Sequence, residues 1–376
     1  MIRPPSGSKS EAATEPDHGS ASTPPLVSGE LAPIQEQHVP ELARFVAIQS
    51  GNKTDVEARL RWLLLENPAR EASVPLGWGL RSSGALVGCI LYVPQHFRYQ
   101  QRTVLMMGSS SFYVDERYRG SGGLIFLKFS ELARKWPLFG NSANAGAAYL
   151  WKARGAIPVP FSDHELFGVV RWGPLIEESV ARRTHQNGFA RAVSGPLSHL
   201  VAACKRLKVD INDSGNLTPL TSPEQVAELL IDKPSDILTA VRDLKYLRWR
   251  YFSGPDASTR VFAYHDRRSD IPILIAVNQR LRGYGQQIRT LNVLDAYPVL
   301  SPEANAAMVG ALLHRYRDQI DALVLRGFTS TWPEMFRSLG FVYRRFDAPS
   351  GWLLDKSKLL PTRDWYIVPA DGDLMI

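Results

Sequence analysis

The sequence predicts an α/β protein in which one fold of roughly 150 residues occurs twice in tandem. Three observations lead there. Short apolar runs with strand character alternate with segments of helical apolar spacing along most of the chain. A basic, glycine-rich turn stands between such a run, 111–114, and a helix-like segment, 124–136. Finally, three landmarks recur in order at nearly one offset. Leu31, Pro33 and Ile34 are echoed by Leu217, Pro219 and Leu220, an offset of 186. Arg61, Trp62 and Pro68 are echoed by Arg248, Trp249 and Pro255, an offset of 187. Leu150, Trp151, Gly155 and Ala156 are echoed by Met335, Phe336, Gly340 and Phe341, an offset of 185. Repetition at a fixed period is the sequence mark of a duplicated unit.

The elements of the first copy follow from local pattern. Residues 31–34 read as a strand, 38–49 and 55–66 as helices, and 77–80, 84–93 and 103–114 as strands with a hairpin among them. Helix 123–136, strand 137–142, helix 144–154 and strands near 157–171 come next, with Gly155 as the stop of its helix. In the second copy Ser222, Pro223 and Gln225 make an N-cap, a proline at N1 and a capping-box partner, starting helix 223–232. A helix or turn follows through 239–251, then strands 260–264, 271–280 and 287–295. Ser301 and Pro302 start a helix to about 318. Strand 320–326, helix 331–339 and strand 341–347 complete the copy, and one last strand falls within 364–373.

Composition narrows the class. The 376 residues, 44% of them hydrophobic and 22% charged, suffice for two domains with their own cores. Residues 1–28, rich in Ser, Pro, Gly, Ala, Thr and Glu, read as a disordered tail. Cys89 and Cys204 lie far apart without metal-ligand spacing, so they read as packing residues in a reducing, cytoplasmic compartment. No apolar run is long enough for a membrane span, and the N-terminus has no apolar signal core. The net charge of +7 is scattered rather than striped with aromatics, so no nucleic acid is expected as a partner. No zinc helix, serine elbow or calcium loop is present, and no metal is expected.

The chemistry concentrates in two motifs. Arg117, Tyr118, Arg119, Gly120, Ser121, Gly122 and Gly123 directly follow the strand 103–114 and precede a helix. Such a turn can present backbone N–H groups to an anion at a helix N-terminus, with glycines allowing close approach or positive φ and arginine adding charge-assisted bonds. The plain alternative is a turn and nothing more. About twenty residues on, Asn144, Ala147, Leu150 and Trp151 share one helix face. Asn144 serves either as the N-cap of that helix or as a ligand-binding group.

Together these motifs resemble the GNAT superfamily of acyl-CoA N-acyltransferases. That family carries Arg/Gln-x-x-Gly-x-Gly/Ala between strand and helix, then Asn-x-x-Ala-x-x-Leu-Tyr-x-x-x-Gly-Phe. The resemblance covers residues 31–170. The loop fits in two registers, Arg117/Gly120/Gly122 and Arg119/Gly122/Leu124, the second placing Leu124 where glycine or alanine is usual. Trp151 stands where the family has tyrosine and Ala156 where it has phenylalanine. An indole N–H does not titrate near neutral pH, so Trp151 cannot protonate a leaving thiolate, and Tyr149 lies on another helix face.

The resemblance implies two tandem GNAT-like domains, each a mixed, mostly antiparallel sheet flanked by helices, at residues 29–205 and 206–376. It implies acetyl-CoA or another acyl-CoA as co-substrate, bound by Phe112, Tyr113, Val114, Arg117, Arg119, Gly120, Ser121, Gly122, Gly123, Asn144 and Trp151. The acceptor would be an amine on a small molecule or glycan, such as an amino sugar in bacterial polysaccharide synthesis. Glu116 and Glu165 are the candidate general bases, with Asp115, His96 and His164 behind them. The second copy lacks the loop: Pro298 and Pro302 remove N–H groups after its central strand, and Phe336 takes the place of Trp151. Arg280, Arg282, Gly283 and Gly285 imitate the loop but fall between two strands, as a hairpin turn would. Two other readings stay open: a FemAB-like transferase fed by charged tRNA, and a non-catalytic scaffold.

Overall fold

The computed structural model describes residues 29–51, 55–184, 194–199, 201–202, 207–209, 216–230, 235–265, 272–283, 287–298, 302–326, 332–358, 360–362 and 364–372. The expected tail at 1–28, the expected boundary between 205 and 206, and Cys204 lie outside these.

In the first part of the chain the strands are β1 (Glu30–Ile34), β2 (Gly77–Ser82), β3 (Ala85–Gln100), β4 (Arg102–Val114), β5 (Leu138–Gly140), β6 (Ile157–Pro158) and β7 (His164–Val169). In the second they are β8 (Asn216–Leu220), β9 (Ser235–Ala240), β10 (Arg260–His265), β11 (Ile273–Arg282), β12 (Ile288–Tyr297), β13 (Ala322–Leu325), β14 (Val342–Arg345), β15 (Trp352–Leu354) and β16 (Trp365–Tyr366). Helices α1 (Val39–Ser50), α2 (Val56–Leu64), α3 (Gly122–Ser130), α4 (Ala145–Ala153) and α5 (Trp172–Thr184) flank the first strands. A long helix, Pro302–Tyr316, backs the second sheet. Among the described residues no helix is long and apolar enough to cross a membrane.

Two mixed sheets result. The first runs β1-β2-β3-β4-β5-β15-β6, with β9 on the far end of β3 and β16 on β9. The second runs β14-β7-β13-β12-β11-β10-β8. Pairing is antiparallel except for β4 with β5, β9 with β16, and β12 with β13. The parallel pair at the middle of each sheet, β4/β5 in one and β12/β13 in the other, is the same topological step made twice. This is the α/β, mixed and mostly antiparallel architecture expected.

Membership of the sheets departs from a simple division at 205/206. Strand β7 leaves the first part to sit between β13 and β14, and β15 returns from the second part to sit between β5 and β6. The two crossings meet. Ser350 N and Oγ both donate to Ser162 O, at 3.0 and 2.7 Å, while Ser162 Oγ donates to Gly351 O at 3.3 Å. Neither β15 nor β9 was expected as a strand, because both pair with partners distant in sequence.

The echoed tryptophans also meet. Trp62 Nε1 donates to Trp249 O and Trp249 Nε1 to Trp62 O, each at 2.8 Å, and the rings stack with centroids 5.3 Å apart. Each buried indole satisfies its N–H on its counterpart's carbonyl, so the offset of 187 in sequence is a contact in space. The largest apolar cluster runs through this joint, from Leu42, Phe45 and Leu63 of the first helices to Tyr246, Ile275 and Leu312. A second cluster, containing Ile125, Phe126, Phe129 and Trp151, lies under α3 and α4.

Boundaries differ elsewhere for local reasons. β3 continues through Pro94 to Gln100, because its far end pairs with β9. The expected helix 123–136 ends at Ser130 and tightens into a 3₁₀ turn, Glu131–Arg134. The segment 239–251 opens as the end of β9, then becomes a short helix, Leu244–Leu247, and a π turn, Arg248–Phe252.

Candidate active site

β4 and β5 stay together for only two residue pairs, Met107 with Leu138 and Gly108 with Phe139. Glycines pack this fork. A Cβ on Gly108 would lie 2.9 Å from Phe139 Cζ, and one on Gly140 would lie 2.8 Å from Ser109 Oγ. Beyond the fork the strands part, and a cleft of about 290 Å³ opens. Ser109, Ser110, Ser111, Phe112 and Tyr113 line one wall, and Ser142, Ala143, Asn144 and Ala147 the other, with Phe126 and Trp151 closing it.

Within this wall β4 carries a bulge. Tyr113 pairs with Cys89 and Ser110 with Leu91, so three residue steps on β4 face two on β3. Ser111 takes a left-handed conformation, φ +49°, unusual for a residue with a side chain. A bulge at this place re-aims the backbone along the cleft.

The basic turn follows β4 directly, and a Cβ on Gly122 would lie 3.6 Å from Phe112 Cζ of the cleft wall. Residues Glu116–Ser121 form a 3₁₀ turn begun by Asp115, whose carboxylate accepts from Arg117 N at 3.0 Å. Hydrogen bonds from Arg117 hold the Asp115 carboxyl below its ordinary range. Helix α3 continues from this turn at Gly122, whose N–H donates to Arg119 O; α3 itself has no side-chain cap and no acid in its first turn. A Cβ on Gly120 or Gly123 would meet nothing within 4 Å, so this surface is bare backbone. None of the turn's glycines has positive φ, so what they supply is access rather than an unusual conformation. Arg117 and Arg119 lie exposed on either side, in surface pairs with Asp115 and Glu116. Such pairs are weak and yield to a stronger anion. Leu124 is half exposed.

Each sequence-derived site residue can now be placed. Phe112 and Tyr113 line the cleft, and Val114 ends the strand beside it. Asn144 caps α4, its Oδ1 accepting from Ala147 N at 2.9 Å while the residue lines the cleft. Trp151 is 1% exposed and packs edge-to-face on Phe126 and Phe129. Tyr149 points away, 73% exposed.

The candidate bases do not fall in the cleft. Glu116 is an exposed partner of Arg119 on the basic turn. Glu165 is buried in β7, in the second sheet, against Arg282 at 2.7 Å and Arg326 at 3.2 Å. Asp115 is taken up by Arg117, His96 is exposed on β3, and His164 bonds Asp163 at 2.6 Å. Among the described residues lining the cleft there is no Asp, Glu or His. What sequence reasoning missed is hydroxyl: Ser109, Ser110 and Ser111 are three serines in succession within an otherwise apolar strand, a signal visible in the sequence. The Cys89 thiol is buried and its pKa is pushed up to about 12, so it stays protonated.

The second sheet has a matching fork, where β12 and β13 part beyond Val293 and Leu325. It too carries a register shift, between Ala276 and Val277 opposite Asp295 and Val293. Here the chain fills the gap itself. Tyr366 exchanges hydrogen bonds with Ala296, accepting from its N–H at 3.1 Å and donating to its carbonyl. Asp295 is bound by Arg242 through two bonds, 2.7 and 3.0 Å, and by Tyr251 at 2.6 Å.

No protein-family model and no curated protein matches the chain in sequence. Solved structures do match in fold. A probable N-acyltransferase of Enterococcus faecalis aligns with TM-score 0.55 at 10% identity, over 87% of this chain and 73% of its own. Yeast N-myristoyltransferase with bound myristoyl-CoA gives 0.55 at 13%, over 94% and 84%. A GCN5-related N-acetyltransferase of Anabaena variabilis gives 0.52 at 13%, over 87% and 72%. The strand–turn–helix motif, the forked parallel pair and these alignments agree: the chain has a GNAT-type fold, shared with these N-acyltransferases.

Proposed function

We propose that the protein transfers an acyl group from acyl-CoA to an amine. The observation that carries this reading is the open fork of the first sheet, whose wall strand β4 runs directly into a glycine-rich turn with two exposed arginines and into helix α3. Pyrophosphate would lie against Gly120, Gly122 and Gly123, with Arg117 and Arg119 beside it. The thioester would lie along the bulged wall from Ser111 to Val114, where backbone dipoles stabilise the oxyanion of the tetrahedral intermediate. The amine attacks the carbonyl carbon, the C–S bond breaks, and the thiolate leaves. A thiolate is a good leaving group, so the absence of an acid at Trp151 costs little. With no carboxylate or imidazole lining the cleft, the ammonium proton passes to water or through the serine hydroxyls. Phe126, Phe129 and Trp151 fill the space behind the cleft, which favours a short acyl group such as acetyl. An amino sugar suits the acceptor class, and the second fork, filled by its own chain, binds no CoA.

Calorimetry with acetyl-CoA and longer acyl-CoAs tests this. Micromolar binding to the wild type, lost in Gly122→Asp, is the expected result. A folded wild type that binds none of them would overturn it. The same lack of a carboxylate in the cleft favours a second reading, binding without turnover, and an amine screen with loaded protein separates the two.

A further inference from the structure

Glu165 is 1% exposed and faces three guanidiniums, Arg282 at 2.7 Å, Arg326 at 3.2 Å and Arg344 at 3.9 Å. The next carboxylate along the chain, Asp163, is occupied by Arg345 at 3.3 Å and His164 at 2.6 Å. Four arginines thus contact two carboxylates. Glu178, packed on Gly283 beside Arg282, is a further acid close by, and among these described residues the guanidiniums still outnumber the carboxylates, four to three.

One carboxylate cannot neutralise three cations; Arg326 is mostly buried, while Arg282 and Arg344 are partly open to water, which weakens their mutual repulsion without removing it. Arg326 shows the effect. Its pKa is lowered, first by burial and then by Arg282 and Arg344, with only Glu165 opposing. Its buried Nε is the atom that lies 3.2 Å from Glu165 Oε1, as an ion pair without hydrogen-bond geometry. The arrangement is nevertheless held rigidly, since the Arg326 and Arg344 guanidiniums lie over the same Phe346 ring, at 4.8 and 5.6 Å. A fixed fork of guanidiniums in excess of its counter-ion is the geometry that takes up an oxyanion.

The cluster is tied to the cleft. Phe346 N donates to Asp163 O at 2.7 Å, and four residues later Ser350 O accepts from Ala143 N at 3.0 Å, on the cleft wall. Four residues span no more than about 14 Å. Arg326 itself leaves the end of β13, the place at which β5 opens into the cleft in the first sheet.

We propose that Arg282, Arg326 and Arg344 seat an anionic group, a carboxylate or a phosphate ester, and that Glu165 is the internal counter-ion that keeps the seat formed when it is empty. Combined with the acyl transfer proposed above, on which this last step rests, the acceptor is an amine that carries a negative charge.

Inorganic phosphate is the probe, titrated by calorimetry into the full chain in a phosphate-free buffer with CoA saturating, so that the basic turn is occupied. Wild type should bind phosphate. Arg326→Met should weaken binding about ten-fold or more, the loss of one charge-assisted bond. Glu165→Gln should tighten it, because it removes the competing carboxylate. Should Arg326→Met fail to fold by circular dichroism, Arg344→Met, the most exposed of the three, takes its place with the same expected direction. No binding by wild type, or equal binding by the folded variants, would overturn the proposal. Repeating the titration without CoA on Gly122→Asp keeps the two readings apart: binding that persists there and depends on Arg326 supports the seat even where the acyl-CoA reading has failed.

Discussion

The two forks of this molecule begin alike and end differently. In each sheet a parallel pair separates after a few residues, and in each the long neighbouring strand slips register beside the gap. In the first sheet the gap stays open and is lined by serines, an aromatic floor and the start of α4 at Asn144. In the second, Tyr366 takes up the backbone of Ala296, and Arg242, Tyr251 and Asp295 satisfy one another in the dark of the core. The difference shows what converts a binding fork into a structural joint. The backbone geometry can be kept as long as something in the chain supplies the partners that a ligand would otherwise bring.

The sharpest way to break the comparison is at the tryptophan pair. Trp62→Ala and Trp249→Ala should each cost about 3–5 kcal/mol by urea unfolding, the range for removing a buried aromatic ring. A joint of true two-fold character predicts similar costs, and a gap of several kcal/mol between them would break the equivalence of the halves. Next comes Gly122→Asp. It should weaken acyl-CoA binding about 100-fold or more, near 2.7 kcal/mol. Its Cβ meets only ordinary contacts, but the carboxylate lies at a buried position beside Val114 and Phe112 and costs some stability, so affinity is read on protein shown folded by circular dichroism. Loss of folding would show that the turn is structural.

The filled fork should reveal itself in pH dependence. Burial pushes the Asp371 carboxyl up to about 6, Asp295 adding and Arg242 opposing. The folded state therefore holds this proton more tightly than the unfolded chain. The stabilisation is complete below the unfolded value of about 3.9, falls as pH rises, and is gone above about 6. Asp371→Asn should flatten that part of a denaturation profile, and an unchanged slope would place the titration elsewhere. The smallest effect belongs to Asn144→Ala, about 1 kcal/mol for a lost N-cap, measured by thermal unfolding with acyl-CoA affinity followed in parallel. A much larger loss of affinity than of stability would give Asn144 a direct part in binding.

Much of this was legible in the sequence because it is written locally. Glycine and arginine in succession after a strand mark the turn between β4 and α3, and helical spacing places Asn144 and Trp151 on the cleft side of α4. The echo of Trp62 in Trp249 marks two residues of the core, and that they touch each other is seen only in the fold. What was not legible depends on distant partners. Trp352 to Leu354 form a short apolar run with no local sign of belonging between β5 and β6. Glu165 reads as a loop carboxylate until Arg282 and Arg326 are folded onto it. Its burial is a property of the second sheet, which its own neighbourhood in sequence does not mention.

The crossed strands have a consequence for synthesis. As the chain leaves the ribosome, the first sheet can assemble β1 to β5, but the place between β5 and β6 stays vacant until Trp352 to Leu354 have been made. Through that interval two strand edges stand unpaired, the condition under which chains associate. A β15 from a neighbouring nascent chain would fit the vacancy as well as the molecule's own. Removing the C-terminal part would make the vacancy permanent, so the cleft of the first sheet cannot be isolated by cutting the chain between its two halves.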